Sequence, residues 1–100
     1  MKVTYLGHSC FLIFFNGKKL LFDPFITGNE LAKNIDISDI RCDYILISHG
    51  HQDHLLDAEL IANNNNAIII SNYEIVSWYQ KKGLVGHGMN HGGKFNFDFG

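Results

Sequence analysis

A short apolar run, Tyr44-Ile45-Leu46-Ile47, opens directly onto Ser48-His49-Gly50-His51-Gln52-Asp53-His54, and no other part of the chain constrains the fold as much. The run is bounded by polar residues and has the length of a buried strand. A strand end carrying three histidines and an aspartate within six positions lies where α/β sheets present their sites. Imidazole and carboxylate donors suit zinc, iron or manganese. His49 and His51, two apart in extended backbone, point to one side and can grip one ion. Asp53 and His54 follow once the chain has turned, and can face a second ion. The plain alternative is a solvated loop rich in histidine. Against it stand a strand before, Gly50 within and a helix after, which is the context such a motif needs.

Composition sets the scale of what surrounds this stretch. One hundred residues, 46% hydrophobic and 18% charged, make one small globular domain with a modest core. A net charge of −2 offers no electrostatic attraction to nucleic acid or an acidic membrane. The apolar run from Cys10 to Phe15 is too short to span a bilayer and has no leader-cleavage pattern, so a cytoplasmic location is expected. Cys10 and Cys42 lie in or beside apolar strands without C-x-x-C spacing, and read as buried, reduced thiols.

Taken in order, Lys2 to Leu6 and Phe11 to Phe15 read as strands, and Asn16-Gly17 as the two-residue hairpin turn into a third strand over Leu20 to Phe22. Asp23 ends that strand. It can brace the metal-binding loop by hydrogen bonding, or simply form an Asp-Pro turn with Pro24. From Phe25 to Asp36 no period is evident beyond a turn at Thr27-Gly28-Asn29 and a short helical piece. After the histidine strand (Asp43 to Ser48), Asp57 is placed to cap a helix through Ala58–Ala62 that the asparagines 63–66 stop. Ala67 to Ser71 is then a strand parallel to the first, joined by a right-handed crossover. Asn72 caps a further helix with Ile75, Val76 and Tyr79 on one face, closed by Lys81-Lys82-Gly83. Trp78 and Tyr79 read as core or cover. Val85 to Met89 and Lys94 to Phe99 read as two last strands, the second alternating Phe95, Phe97, Phe99 with polar residues, around a turn at Asn90-His91-Gly92-Gly93. His87 and His91, flanked by glycine, read as hairpin residues rather than ligands.

Three segments together, Tyr5-Leu6-Gly7-His8-Ser9-Cys10-Phe11-Leu12-Ile13, Leu21-Phe22-Asp23-Pro24-Phe25 and the histidine stretch, resemble the metallo-β-lactamase superfamily. More narrowly, they are similar to uncharacterised metal-dependent hydrolases related to ascorbate-6-phosphate lactonase. The chain departs from that pattern at Glu30, where proline is expected after Gly28-Asn29. The resemblance implies an α/β fold: the N-terminal half of a metallo-β-lactamase domain, a mixed sheet with an antiparallel N-terminal meander and helices on one face. It implies two divalent ions, with zinc first and manganese or iron as alternatives. His49, His51, Asp53 and His54 would be ligands, Asp23 would brace the loop, and Asp53 and His8 would be catalytic, His8 by contacting substrate; as a residue of the turn between the first two strands, His8 would equally need no function.

The superfamily's remaining ligands, a histidine, a bridging aspartate and a final histidine, are expected after this region. Residues 1–100 are therefore expected to be the N-terminal part of one domain, completed by a further segment, a second chain or another copy of this one. The expected activity is hydrolysis of an ester, lactone or phosphoester bond in a small molecule by a metal-bridging hydroxide. The alternative is a non-catalytic metal-binding fragment or truncated product. A di-iron electron-transfer or oxygen-reducing protein would need an acidic ligand in place of a histidine, and His49, His51 and His54 are all present.

Overall fold

The computed structural model describes all of residues 1–100. β1 (Lys2–Gly7), β2 (Cys10–Phe15) and β3 (Lys18–Phe22) form an antiparallel meander. Asn16 and Gly17, at φ 50° and 76°, make the tight turn between β2 and β3. Two 3-10 turns, Glu30–Ala32 and Ile37–Asp39, lie on the way to β4 (Tyr44–Leu46); the side chains of Asn29 and Asp36 cap them. α1 (Gln52–Leu55) and α2 (Ala58–Asn65) lead to β5 (Ile68–Ser71), and α3 (Tyr73–Gln80) leads to β6 (Gly86–Gly88). From β3 onward the pairing is parallel, and the six strands lie in sequence order.

Register explains how the core divides. Leu21, Ile45 and Ile69 are cross-strand neighbours, all fully buried, and they pack with Ala58, Ile61 and Ala62 of α2 and Tyr79 of α3. Each such side chain contributes about 1.5–3 kcal/mol when fully buried. Leu20, Tyr44 and Ile70 point to the opposite face, where Phe22, Leu46, Met89, Phe97 and Phe99 join them. All the helical cover is on one face, and residues 89–99 lie across the other.

Several sequence expectations need correction. Residues 94–99 do not form a strand. Phe97 and Phe99 do fall on one side, stacked with centroids 5.2 Å apart and set against Tyr44, but no backbone ladder joins them to β6. Side-chain anchors replace the ladder: the Tyr44 hydroxyl donates to Asp98 (2.8 Å), Lys18 pairs with Asp98 (3.2 Å), and Asn16 Nδ2 donates to the Phe99 carbonyl (3.0 Å). The asparagine run does not stop α2 at Ala62. The helix extends to Asn65, whose amide donates to the Ile61 and Ile40 carbonyls, and only Asn66 adopts the left-handed cap (φ 53°). Asp57 precedes α2 without capping it. Its buried carboxylate instead accepts from Ile26 N (2.7 Å), Thr27 N (2.9 Å) and Thr27 Oγ1 (2.6 Å), pinning the loop after β3. Of the two residues read as core or cover, Tyr79 is buried in the core, whereas Trp78 is 60% exposed, with the Lys82 ammonium 4.9 Å from its ring. No helix is long and apolar enough to cross a membrane.

Candidate metal centre

The parallel strands β3 and β4 end side by side, and this brings Asp23 to the histidine loop. Asp23 N donates to the Leu46 carbonyl (3.0 Å), and the residue then turns at φ 43°. That turn aims the Asp23 carboxylate at Ser48. Oδ1 accepts from Ser48 N and Oδ2 from Ser48 Oγ, both at 2.7 Å, while His54 Nδ1 lies 3.0 Å from Oδ2.

These bonds decide which ring nitrogens remain for an ion. Opposite a carboxylate oxygen, His54 Nδ1 carries the proton, and Nε2 keeps its lone pair. The single Ser48 hydroxyl proton goes to Asp23, so the 2.9 Å contact between Ser48 Oγ and His49 Nδ1 is a bond donated by His49. His49 Nε2 is therefore also a lone pair. It faces His51 Nδ1 at 3.1 Å, a distance that needs a proton or a cation between the two nitrogens. Nitrogens at about 2.0–2.1 Å from one tetrahedral zinc stand roughly 3.3–3.4 Å apart. The donor pair fits a divalent ion.

A second group of donors forms where the chain turns into α1. His51 is extended (φ −79°, ψ 145°), and Asp53 and His54 occupy the first turn of the helix. Asp53 Oδ1 lies 3.8 Å from His54 Nε2, and Asp53 Oδ2 lies 3.0 Å from Nε2 of His8, in the turn between β1 and β2. Ligand atoms of His8, Asp53 and His54 all lie within 4.8 Å of one another. The His49 ring centroid is 4.0 Å from that of His54 and 4.6 Å from that of His51, so the two groups adjoin. Partial desolvation of the Asp53 carboxyl works to raise its pKa. The His8 hydrogen bond and the nearby His54 prevail, holding it below the usual carboxylate range.

The structure thus brings His49, His51, Asp53, His54, Asp23 and His8 together. It leaves the two remaining histidines outside the cluster. His87 packs against the rings of Phe95 (4.4 Å) and Phe97 (4.9 Å). His91 lines a cavity of about 340 Å³ that Asp23 and Ser48 also line, with Phe22, Ile70 and Asn72. Cys10 and Cys42 are buried and unpaired, and burial pushes both thiols up to about 12, so neither offers a thiolate. Sequence reasoning gave Ser48 no part, although its hydroxyl links Asp23 to His49. The signal available was a hydroxyl residue directly before the first histidine.

Known proteins share this arrangement of chain. Residues 3–99 match the family model of the metallo-beta-lactamase superfamily. A UPF0173 metal-dependent hydrolase of Flavobacterium johnsoniae is 55% identical over the whole chain, and one of Christiangramia forsetii is 50% identical. The chain spans 44% and 45% of those relatives, somewhat under half their length. Among solved structures, Igni18, a metallo hydrolase from the archaeon Ignicoccus hospitalis, superposes with a TM-score of 0.85 at 33% identity. That match covers 96% of this chain and 42% of Igni18.

Proposed function

The chain belongs to the metallo-beta-lactamase superfamily, and from that premise we propose that it carries one side of the active site of a metal-dependent hydrolase. The substrate class we assign is a small molecule with an ester, lactone or phosphoester bond. Two divalent ions, zinc before manganese or iron, would supply a water activated at neutral pH and an electrophile for the developing oxyanion. His49 Nε2 and His51 Nδ1 would hold one ion, and Asp53 with His54 Nε2 the other. Asp23 and Ser48 keep the imidazoles in the tautomers that ligation requires. Asp53, half exposed at its side chain, can also accept a proton during turnover.

The observation that carries this reading is the facing pair His49 Nε2 and His51 Nδ1, 3.1 Å apart at a strand end. The names of the relatives, all metal-dependent hydrolases, support it. The remaining ligands belong, in this proposal, to residues beyond these 100. The test is hydrolysis of generic aryl phosphodiesters, aryl esters and lactones by the intact metal-loaded protein, beside His49→Ala/His51→Ala. Turnover of one class that the double variant loses supports the proposal. Metal binding without turnover of any class would favour a non-catalytic metal-binding protein.

A further inference from the structure

Asp23 and Ser48 hold the rings of His54 and His49 from behind, but neither reaches Asp53, half exposed on the short helix α1. The partner of Asp53 comes from a distant part of the chain: His8 Nε2 lies 3.0 Å from Asp53 Oδ2, across 45 residues. We propose that His8 is a positioning residue, which donates to Oδ2 and so holds Oδ1 toward the ion that Asp53 shares with His54. This assignment rests on the hydrolase reading above and deepens it. It gives His8 a role other than the substrate contact that the resemblance implies.

The two carboxylate oxygens are already divided between neighbours. Oδ1 faces His54 Nε2 at 3.8 Å, while Oδ2 faces His8. Opposite a carboxylate oxygen, His8 Nε2 carries the proton, so that nitrogen is a donor and not itself a ligand. Water reaches both side chains, 41% and 49% exposed, and a contact between freely rotating groups there would be worth little. The turn removes that freedom. The β1–β2 register shifts between Tyr5 and Gly7, and Gly7 takes φ 106°. A Cβ at Gly7 would meet Asn29 Nδ2 at 2.8 Å, so the turn lies close against the loop after β3. His8 follows at φ 52°, a conformation that histidine tolerates better than most residues, and the Tyr5 hydroxyl donates to its carbonyl (2.9 Å). Phe25 meets the imidazole edge-on at 5.6 Å, and the amides of the next two residues donate to Asp57, which fixes Phe25 in turn. A ring held by its surroundings in this way can hold a ligand's carboxylate in one orientation.

The test separates the hydrogen bond from ring packing and from substrate contact. The intact protein is stripped of metal, reloaded with cobalt(II) and titrated against a competing chelator while its visible spectrum is followed. Asp53→Ala shows which cobalt band belongs to the ion of Asp53 and His54. That ion is expected to bind about 10–100-fold more weakly in His8→Ala and in His8→Phe. Phenylalanine keeps a ring against Phe25 but has no donor. His8→Gln keeps an N–H for Oδ2 and should restore near-wild-type affinity. The ion at His49 and His51 should bind alike in all four proteins. His8 is exposed in a turn, the backbone cost of φ 52° falls on every variant, and circular dichroism checks that each folds. Wild-type affinity for both ions in His8→Ala would overturn the assignment, and a raised KM beside it would return His8 to the substrate. Wild-type affinity in His8→Phe would reduce the role to packing, and His8→Gln as weak as His8→Ala would exclude the hydrogen bond; either overturns the assignment. So would an Asp53→Ala protein that loses no cobalt band. No ion at His49 and His51 in wild type would sink the hydrolase reading itself. Two ions without turnover of any substrate class would count against that reading alone and leave the affinity comparison in force.

Discussion

Asp23 commits both carboxylate oxygens to Ser48 and His54, so any part it has in the proposed metal binding is indirect. Asp23→Ala leaves Ser48 N–H without its acceptor and frees both His49 and His54 to change tautomer. Metal affinity should fall about 10–100-fold, as read by chelator competition, and unchanged affinity would show that the loop holds itself. Asp57 plays the corresponding part for the loop after β3. Asp57→Ala removes the acceptor of two backbone amides and one hydroxyl in a buried position. A loss on the order of 3 kcal/mol is expected in chemical denaturation; a change within about 0.5 kcal/mol, as at ordinary surface sites, would contradict it. The clustering of the H-x-H-x-D-H side chains was legible because they are neighbours in sequence. His8 with Asp53 and Thr27 with Asp57 meet across 45 and 30 residues, and no local pattern announces such pairs.

Hydrophobic period did well for elements whose partners are also periodic, and failed where side chains do the anchoring. The alternation of Phe95, Phe97 and Phe99 correctly places their rings on one side, yet period two says nothing of a hydrogen-bonded neighbour. This segment is held at Asp98, whose carboxyl the Tyr44 hydroxyl keeps below the usual range, against slight desolvation and with help from Lys18. A carboxyl with a depressed folded pKa contributes its stabilisation above its unfolded value, about 3.9, and loses it as pH falls through the folded value. Residues 94–99 should therefore loosen from the sheet below about pH 4. Ring-current shifts of Phe97 and Phe99 over Tyr44, followed by NMR, check this: they should move with pH in wild type and stay nearly flat in Asp98→Asn. Shifts that titrate equally in both would place the latch elsewhere. The helix through the asparagine run escaped notice for a related reason. Asn65 is a poor helix former in isolation, and besides a local bond to Ile61 its place is fixed by one to Ile40 that only the folded chain provides.

At the scale of the molecule, the helices cover one face of the sheet, while the meander's other face stays open. Val3, Tyr5 and Phe11 are 52%, 62% and 38% exposed there. Donors gather at one sheet end only, and the candidate ligands His49, His51, Asp53 and His54 number four side chains for two ions. A polypeptide of these 100 residues should therefore bind metal but not turn over ester or phosphodiester substrates. Activity abolished by His49→Ala/His51→Ala in that polypeptide would mean that a complete site assembles from it, through His87 and His91 or by pairing of two copies. Anomalous X-ray scattering above the zinc edge, from crystals of the intact, zinc-loaded protein, shows whether the strand-end histidines form a metal centre. One peak bonded to His49 Nε2 and His51 Nδ1 is expected, and a second bonded to Asp53 and His54 Nε2. Zinc bound only elsewhere, with His49 and His51 joined by nothing more than a shared proton, would contradict it.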